Sequence, residues 1–186
     1  MERMQVYFMS VKFSAKEMDE MEDIIDSFFK MKKVKISIPV DIFELATELG
    51  FDVRGAEFSE PLEGLLIVDE FENEIGGFNS NKVIVYNCEK DIYTKKFVVA
   101  HELAHYIYEK IISKESKIVV AARDHENQNY SDDKKEQMMD YIAAGLLVPR
   151  NDLRKYNKKM DFKEIASKYN VSSELAKRRI EEVCHE

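Results

Sequence analysis

Cysteine is scarce in this chain. Only Cys88 and Cys184 occur among its 186 residues, they lie far apart, and no C-x-x-C pair is present. A cysteine-rich disulfide framework is therefore excluded, and the pattern argues against a zinc site built from cysteines. The simplest interpretation is a reduced, cytoplasmic protein.

Long apolar runs are also missing. No stretch approaches the length that a membrane span requires. Residues 1–13 lack a small-residue cleavage site after an apolar core, so we expect no signal peptide and no membrane partner. Hydrophobic residues make up 45% of the chain and charged residues 34%, which is typical of a soluble globular protein.

Positive charge is in deficit, since the net charge is -8. The deficit is uneven: residues 150–186 carry a net charge of +3, and the rest of the chain carries -11. An acidic body repels a phosphate backbone, which disfavours direct nucleic-acid binding. The basic run Lys177-Arg178-Arg179 leaves a weak exception, although such runs more often form a solvated helix face.

The first part of the chain predicts two helices. Over residues 14–33, Ser14 and Glu17 form a capping-box pattern, and apolar residues recur at helical spacing. Over residues 39–49, Pro39 suits the first helical turn and Gly50 ends the helix.

Residues 51–87 show a strand-like pattern. Two short apolar runs, Gly64 to Val68 and Val83 to Asn87, flank the turn signal Asn79-Ser80-Asn81. We expect a small, mostly antiparallel sheet with a hairpin around residues 79–82. A further hypothesis places the 83–87 strand at a sheet edge, where an extended substrate could pair with its backbone.

An H-E-x-x-H pentapeptide runs from His101 to His105, in a helix expected from Thr94 to about Ile112 with Thr94 or Asp91 as its cap. Residues four apart lie on one helix face, so both imidazoles can point at one metal ion. Glu102 can then reach a water bound to that ion. These groups are what hydrolysis at a zinc centre needs.

A catalytic zinc site usually has three protein ligands and one open position. One large class takes a histidine six residues after the second, with a glycine between; Tyr108 and Ile111 occupy those positions here, so that class is excluded. The other common class takes a glutamate from a later helix. Glu136 fits, in a helix expected from Asp132 or Asp133 to Leu147. Asp140, one turn further on, can accept the second N–H of a ligand histidine.

Two further regions are less informative. Residues 113–131 are polar apart from 118–122 and form the best candidate for a mobile loop. His125 and Tyr130 in this loop are candidates for an oxyanion or substrate contact, because such residues often lie on loops. Helices expected over 161–169 and 173–183, with a break at 170–172, look like a helix-turn-helix.

Together these segments resemble the ImmA/IrrE family of metallopeptidases. Lys95 to His105 is similar to the family's segment ending in the pentapeptide, and Glu136 to Pro149 is similar to its later acidic segment. The likeness covers roughly residues 36–183. One departure is Met138, where the family has a second acidic residue, which leaves Glu136 as the acidic candidate at the start of that segment.

The resemblance implies an α+β fold, in which a small, mostly antiparallel sheet packs on helices and includes a zincin-like active-site helix. On this basis we expect an N-terminal helical extension over residues 1–35 and a metallopeptidase core over residues 36–150. A small helix-turn-helix-like tail would follow over residues 151–186.

The resemblance also implies an activity. Zn²⁺ would be held by His101, His105 and Glu136, although manganese or iron also suits such a donor set, and Glu102 would be the general base. The family implies a regulatory endopeptidase of bacteria and their mobile elements that cleaves a helix-turn-helix repressor. The alternatives are a metal-stabilised anti-repressor that binds a regulator without cleaving it, and a DNA-binding regulator acting through residues 161–183.

Overall fold

The computed structural model describes residues 13–34, 37–58, 62–69, 75, 77–78, 80–113, 119–123, 130–156 and 161–184, with the backbone alone for residues 113, 119–123, 130–133 and 184. Within these residues the fold is α+β, as expected. The helices are α1 (Ala15–Lys32), α2 (Ile42–Glu48), α3 (Ile92–Tyr108), α4 (Tyr130–Leu147), α5 (Arg150–Leu153), α6 (Phe162–Tyr169) and α7 (Ser173–Cys184). The strands are β1 (Asp52–Ala56), β2 (Gly64–Val68), β3 (Lys82–Asn87) and β4 (Val119–Arg123), and a π-helical turn, Glu109–Ser113, follows α3.

Helix α1 starts with the predicted capping box. The backbone N–H of Glu17 donates to the Ser14 hydroxyl at 3.3 Å, and the Ser14 N–H donates to the Glu17 carboxylate at 2.8 Å. These bonds satisfy backbone donors that a helix start leaves free. The apolar stripe of α1 is buried in the main core at Met21, Ile24, Ile25, Phe28 and Phe29.

Helix α2 begins later than predicted. The Asp41 carboxylate accepts hydrogen bonds from the backbone N–H groups of Phe43 and Glu44, both at 3.1 Å, so Asp41 caps a helix that starts at Ile42. Placing Pro39 in the first turn was therefore wrong. Gly50 follows the helix end with φ of 86°, a conformation that favours glycine.

The sheet has the strand order β1-β3-β2-β4. Strand β2 runs antiparallel to both β3 and β4, while β3 runs parallel to β1, so the sheet is mostly antiparallel as predicted. The edge hypothesis for residues 83–87 was wrong, because β3 pairs on both sides. Its residues Val83, Ile84 and Val85 are buried, which is typical of an interior strand.

The hairpin predicted around residues 79–82 joins β2 to β3, but its loop is longer than these four residues. The antiparallel partner of β3 is β2, and the connection between them spans residues 69–81. The Asp69 N–H donates to the Asn81 carbonyl at 2.8 Å and so closes this longer connection.

Helix α3 lies under the sheet and carries the pentapeptide. Asp91 is its cap, since its carboxylate accepts from the N–H groups of Tyr93 and Thr94 at 2.9 and 3.2 Å. The helix is buried all round from Val98 to Ile107. It gives way to the π-helical turn at Glu109 instead of continuing regularly to Ile112.

The helices near the two ends of the chain share one hydrophobic core with the central helices and the sheet. Side chains of α1, α3, α4, α6 and α7 belong to one buried cluster with the sheet, while the proposed boundaries at residues 35 and 150 remain predictions. Helices α6 and α7 are separated by Asn170, whose φ is 53°, in the predicted helix-turn-helix-like arrangement. Among the described residues, no helix combines the length and apolarity needed to cross a membrane.

Arg179 departs from the solvated helix face expected for the basic run. Its side chain is fully buried, donates from Nε to the Val148 carbonyl at 3.0 Å, and pairs with Glu22 and Glu182. Its guanidinium also lies 5.0 Å from the centre of the Tyr141 ring. Arg179 therefore joins α1, α4 and α7 and is not available to nucleic acid in this fold.

Candidate metal centre

Two packed helices bring the predicted metal-binding residues together. Helix α3 presents His101 and His105 one turn apart, and α4 presents Glu136 and Asp140 one turn apart. Because residues four apart share a helix face, each helix directs a pair of side chains at the other. The local sequence spacing thus builds the site once the two helices pack.

Three donor atoms converge at one point. His101 Nε2 lies 3.1 Å from His105 Nε2 and 3.1 Å from Glu136 Oε2, and His105 Nε2 lies 3.5 Å from the same carboxylate oxygen. His101 and His105 are buried, whereas the Glu136 side chain is 29% exposed. The cluster is therefore enclosed by protein and open to solvent on the Glu136 side.

Asp140 orients the first histidine. His101 Nδ1 lies 2.8 Å from Asp140 Oδ1, so the Nδ1–H can donate to this carboxylate. That tautomer leaves a lone pair on Nε2, which faces His105 and Glu136. A carboxylate in this position also makes the imidazole a stronger metal ligand.

The directions of the pKa shifts of His105 and Glu136 favour cation binding. Burial lowers the pKa of His105 and outweighs the opposing effect of a hydrogen bond to the Glu136 carboxylate. Burial opposes ionisation of Glu136, but its hydrogen bonds to His101 and His105 outweigh burial and hold the pKa of this carboxyl well below its ordinary value. Neutral imidazoles and an ionised carboxylate are the forms that bind metal.

The donor set fits a tetrahedral ion. Zinc binds histidine nitrogen and carboxylate oxygen at about 2.0–2.2 Å, which places ligand atoms roughly 3.3 Å apart in a tetrahedron. The three separations of 3.1, 3.1 and 3.5 Å lie around this value. His101, His105 and Glu136 thus form a possible metal-binding triad.

Glu102 completes the pentapeptide and is fully buried. It follows the first histidine on α3, on the side of the helix that faces strand β2. Gly64 at the start of β2 lies against it: a Cβ atom built on this glycine would come within 2.9 Å of Glu102 Oε1. Sequence reasoning did not single out Gly64, although a glycine among the inward positions of an apolar strand is a readable signal.

The remaining candidates are not brought into the site by the described residues. His125 lies outside them. Tyr130 is the first residue of α4, and its side chain is not among those described. Met138, which replaces the second acidic residue of the resembled segment, packs against the apolar core.

A helix carrying H-E-x-x-H against a small mixed sheet, with a third donor from the next long helix, defines the metallopeptidase class of fold. A sequence profile of the peptidase M78 family, described as the IrrE N-terminal-like domain, matches residues 64–181. The chain therefore belongs to this family, the ImmA/IrrE metallopeptidases that the sequence resembles. The comparison with curated proteins finds no match.

A solved structure of a Mycobacterium tuberculosis transcriptional regulator has a similar fold. The two share 12% sequence identity at a TM-score of 0.54, and the match covers 90% of this chain and 47% of the regulator. This chain thus spans about half the length of the regulator. Identity this low shows the fold alone.

Proposed function

We propose that this protein is a zinc-dependent endopeptidase. The observation that supports the proposal is the convergence of two imidazole nitrogens and one carboxylate oxygen, separated by 3.1 to 3.5 Å; the residue after the first histidine is the buried Glu102. His101, His105 and Glu136 would hold the ion. When bound, zinc supplies a Lewis acid that polarises a peptide carbonyl and lowers the pKa of water.

The chain's own residues perform the proton transfers. Glu102 accepts a proton from the water that attacks the carbonyl carbon of the scissile peptide. It then returns this proton to the leaving nitrogen as the C–N bond breaks, so that one carboxylic acid and one amine are released. Asp140 holds the imidazole of His101 in the tautomer that binds metal. The burial of Glu102 keeps bulk water from competing for its proton.

We further propose that the substrate is a helix-turn-helix repressor. The family to which the chain belongs and the net charge of -8 support this substrate class. A repressor that binds DNA presents a basic surface, and an acidic enzyme would attract that surface by complementary charge. On helix α1, Glu20 and Asp23 are acidic and exposed.

The test uses the repressor encoded nearest to this gene, incubated with wild-type protein and with Glu102→Gln at equal zinc content. We expect wild type to cut the repressor, and Glu102→Gln to lose about 100-fold or more in rate while retaining zinc, because it lacks the general base. Glu48→Gln makes the same chemical change at an exposed position of α2 and should cut normally. Fragments are identified by mass spectrometry.

Two outcomes would count against the proposal. If Glu102→Gln binds zinc and still relieves repression in cells, contact with the repressor is sufficient, and the protein is a non-catalytic anti-repressor. If wild type cleaves the repressor at a rate that does not fall with rising salt, recognition does not rest on charge.

A further inference from the structure

We propose that Gly64 is a positioning residue. Because glycine has no side chain, it leaves free the space that the Glu102 carboxylate occupies. The catalytic part of this inference rests on the proposed endopeptidase function. Its steric part concerns the folded chain alone and can be tested separately.

The strand pattern places position 64 against the helix. Residues two apart on a strand share a face, and Gly64, Leu66 and Val68 are all buried. Leu66 and Val68 fill their positions with apolar side chains that belong to the main core. Position 64 has the same inward orientation but carries no side chain, and Gly64 is not among the described glycines with a positive φ that would favour glycine there.

Two side chains of α3 occupy the space beside Gly64. An ideal Cβ built on Gly64 would lie 2.4 Å from Val98 Cγ1, 2.9 Å from Glu102 Oε1 and 3.5 Å from Glu102 Cγ. The first two distances are far shorter than a van der Waals contact. Val98 and Glu102 are one helical turn apart, so a single methyl group at position 64 would press on both.

The two neighbours differ in what they can tolerate. Val98 is β-branched and has a stiff side chain in a helix, but it carries no chemistry and can be shortened. Glu102 is fully buried, so its carboxylate could yield to a methyl group only by leaving its present position. A displaced general base no longer reaches the proton it must transfer. Gly64 would then act on catalysis through Glu102.

The steric part is tested by a double-mutant cycle between Gly64→Ala and Glu102→Ala. All four proteins carry Val98→Ala, which removes the closest clash, and are compared as metal-free proteins by urea unfolding. We expect Gly64→Ala to lower the unfolding midpoint when Glu102 is present. With Glu102→Ala, roughly half or more of that loss should disappear, because interacting neighbours are not additive.

The catalytic part is tested with the repressor. Gly64→Ala with Val98→Ala should bind zinc at the stoichiometry of wild type, while kcat falls by about 100-fold and KM stays unchanged, as expected for a displaced catalytic group. Val98→Ala alone should cleave normally. The matched control is Gly55→Ala: Gly55 also pairs with Tyr86, from the other side of β3, and its added Cβ would meet Cys88 and Tyr86 at 3.1 Å, not the site.

The outcomes separate the two proposals. Equal stability losses with and without Glu102, no loss in either background, or failure of both Gly64→Ala proteins to fold would each overturn the role of Gly64. If Gly64→Ala fails to fold with Glu102 present but folds with Glu102→Ala, the result would support this role.

The cleavage assay separates the steric relation from the endopeptidase function. If the cycle shows the coupling but wild type cuts no repressor, the endopeptidase proposal fails and the steric relation stands. If the cycle shows coupling and cleavage is normal in Gly64→Ala with Val98→Ala, the positioning role is overturned.

Discussion

Helix α4 contacts two clusters of charged and polar groups, one towards its N-terminal end and one towards its C-terminal end, and only the second cluster contains a cation of its own. Towards the N-terminal end, Glu136 and Asp140 face His101 and His105, and the three candidate metal-ligand atoms lie 3.1 to 3.5 Å from one another. Towards the C-terminal end, the helix meets the guanidinium of Arg179, which the carboxylates of Glu22 and Glu182 neutralise. The second cluster contains its own cation, whereas the first contains a possible metal-binding triad.

The two clusters also differ in how tightly the surrounding helices enclose them. A Cβ atom on Gly145 would lie 2.6 Å from Ile25 Cδ1 and 3.2 Å from Arg179 Nη2, so α1 and α7 approach α4 closely there. Arg179 is fully buried, while the Glu136 side chain is 29% exposed. Buried charges are tolerated when they are paired and hydrogen-bonded. The comparison teaches that one cluster is closed and structural, and the other is accessible and suited to a ligand.

Removing the internal cation should have the largest effect on stability. Arg179→Ala leaves Glu22 and Glu182 without their buried partner, and breaking such a pair costs about 3–5 kcal/mol. We expect urea unfolding to show this loss, with the zinc content of the folded variant unchanged. Lys177→Ala, an exposed position on the same helix, should change stability little. Equal stability of the two variants would contradict a structural role for the Arg179 cluster.

Removing the support of His101 should have an intermediate effect on metal affinity. Asp140→Ala deletes the acceptor 2.8 Å from His101 Nδ1, and loss of such a partner weakens metal binding by about 10–100-fold. Asp140→Asn keeps an acceptor oxygen and should lose less. Competition with a chelator measures both affinities. Wild-type affinity in Asp140→Ala would show that the carboxylate does not orient the ligand.

A third charged cluster, near α5, should give the smallest effect. Lys168 donates to Asp152 at 2.9 Å and the Tyr169 hydroxyl donates at 2.8 Å. The hydrogen bond from Lys168 is the largest cause that lowers the pKa of Asp152 from 3.8 to about 2. Because the folded-state pKa is the lower one, the stabilisation is complete above the unfolded pKa and is lost as the pH falls towards the folded pKa.

Asp152→Asn should therefore be less stable than wild type at neutral pH, by roughly 1 kcal/mol for hydrogen bonds that water partly screens. The difference should shrink between pH values of about 4 and 2. Urea unfolding of both proteins across this range measures it. A difference that stays constant with pH would show that the carboxylate charge of Asp152 does not contribute.

Local spacing predicted much of the fold and of the candidate site. The His101 and His105 pair, the Glu136 and Asp140 pair and the Ser14 cap each depend on residues three or four apart, which a helix places together whatever surrounds it. The placement of those pairs in one site needed only the packing of two neighbouring helices. Their roles in binding and catalysis remain predictions that the experiments above address.

The features that sequence reasoning missed depend on distant partners. The residue pattern of the 83–87 strand is compatible with an edge or with an interior position in a sheet. Its interior position depends on pairing with β1 as well as β2. In the sequence Arg179 is part of a basic run, and its buried role depends on Glu22, which lies 157 residues away. Gly64 stands out in the strand pattern, but the side chains that lie against it, Val98 and Glu102, are known only once α3 is placed against the sheet.

The most direct measurement is the zinc content of purified protein after dialysis, compared between wild type, Glu136→Gln and Arg179→Met. If the N-terminal part of α4 completes a site for a cation and the C-terminal part does not, wild type and Arg179→Met should each hold about one zinc ion per chain. Glu136→Gln, which lacks the third ligand, should lose most of it. Equal zinc content in wild type and Glu136→Gln would contradict the assignment of the metal centre.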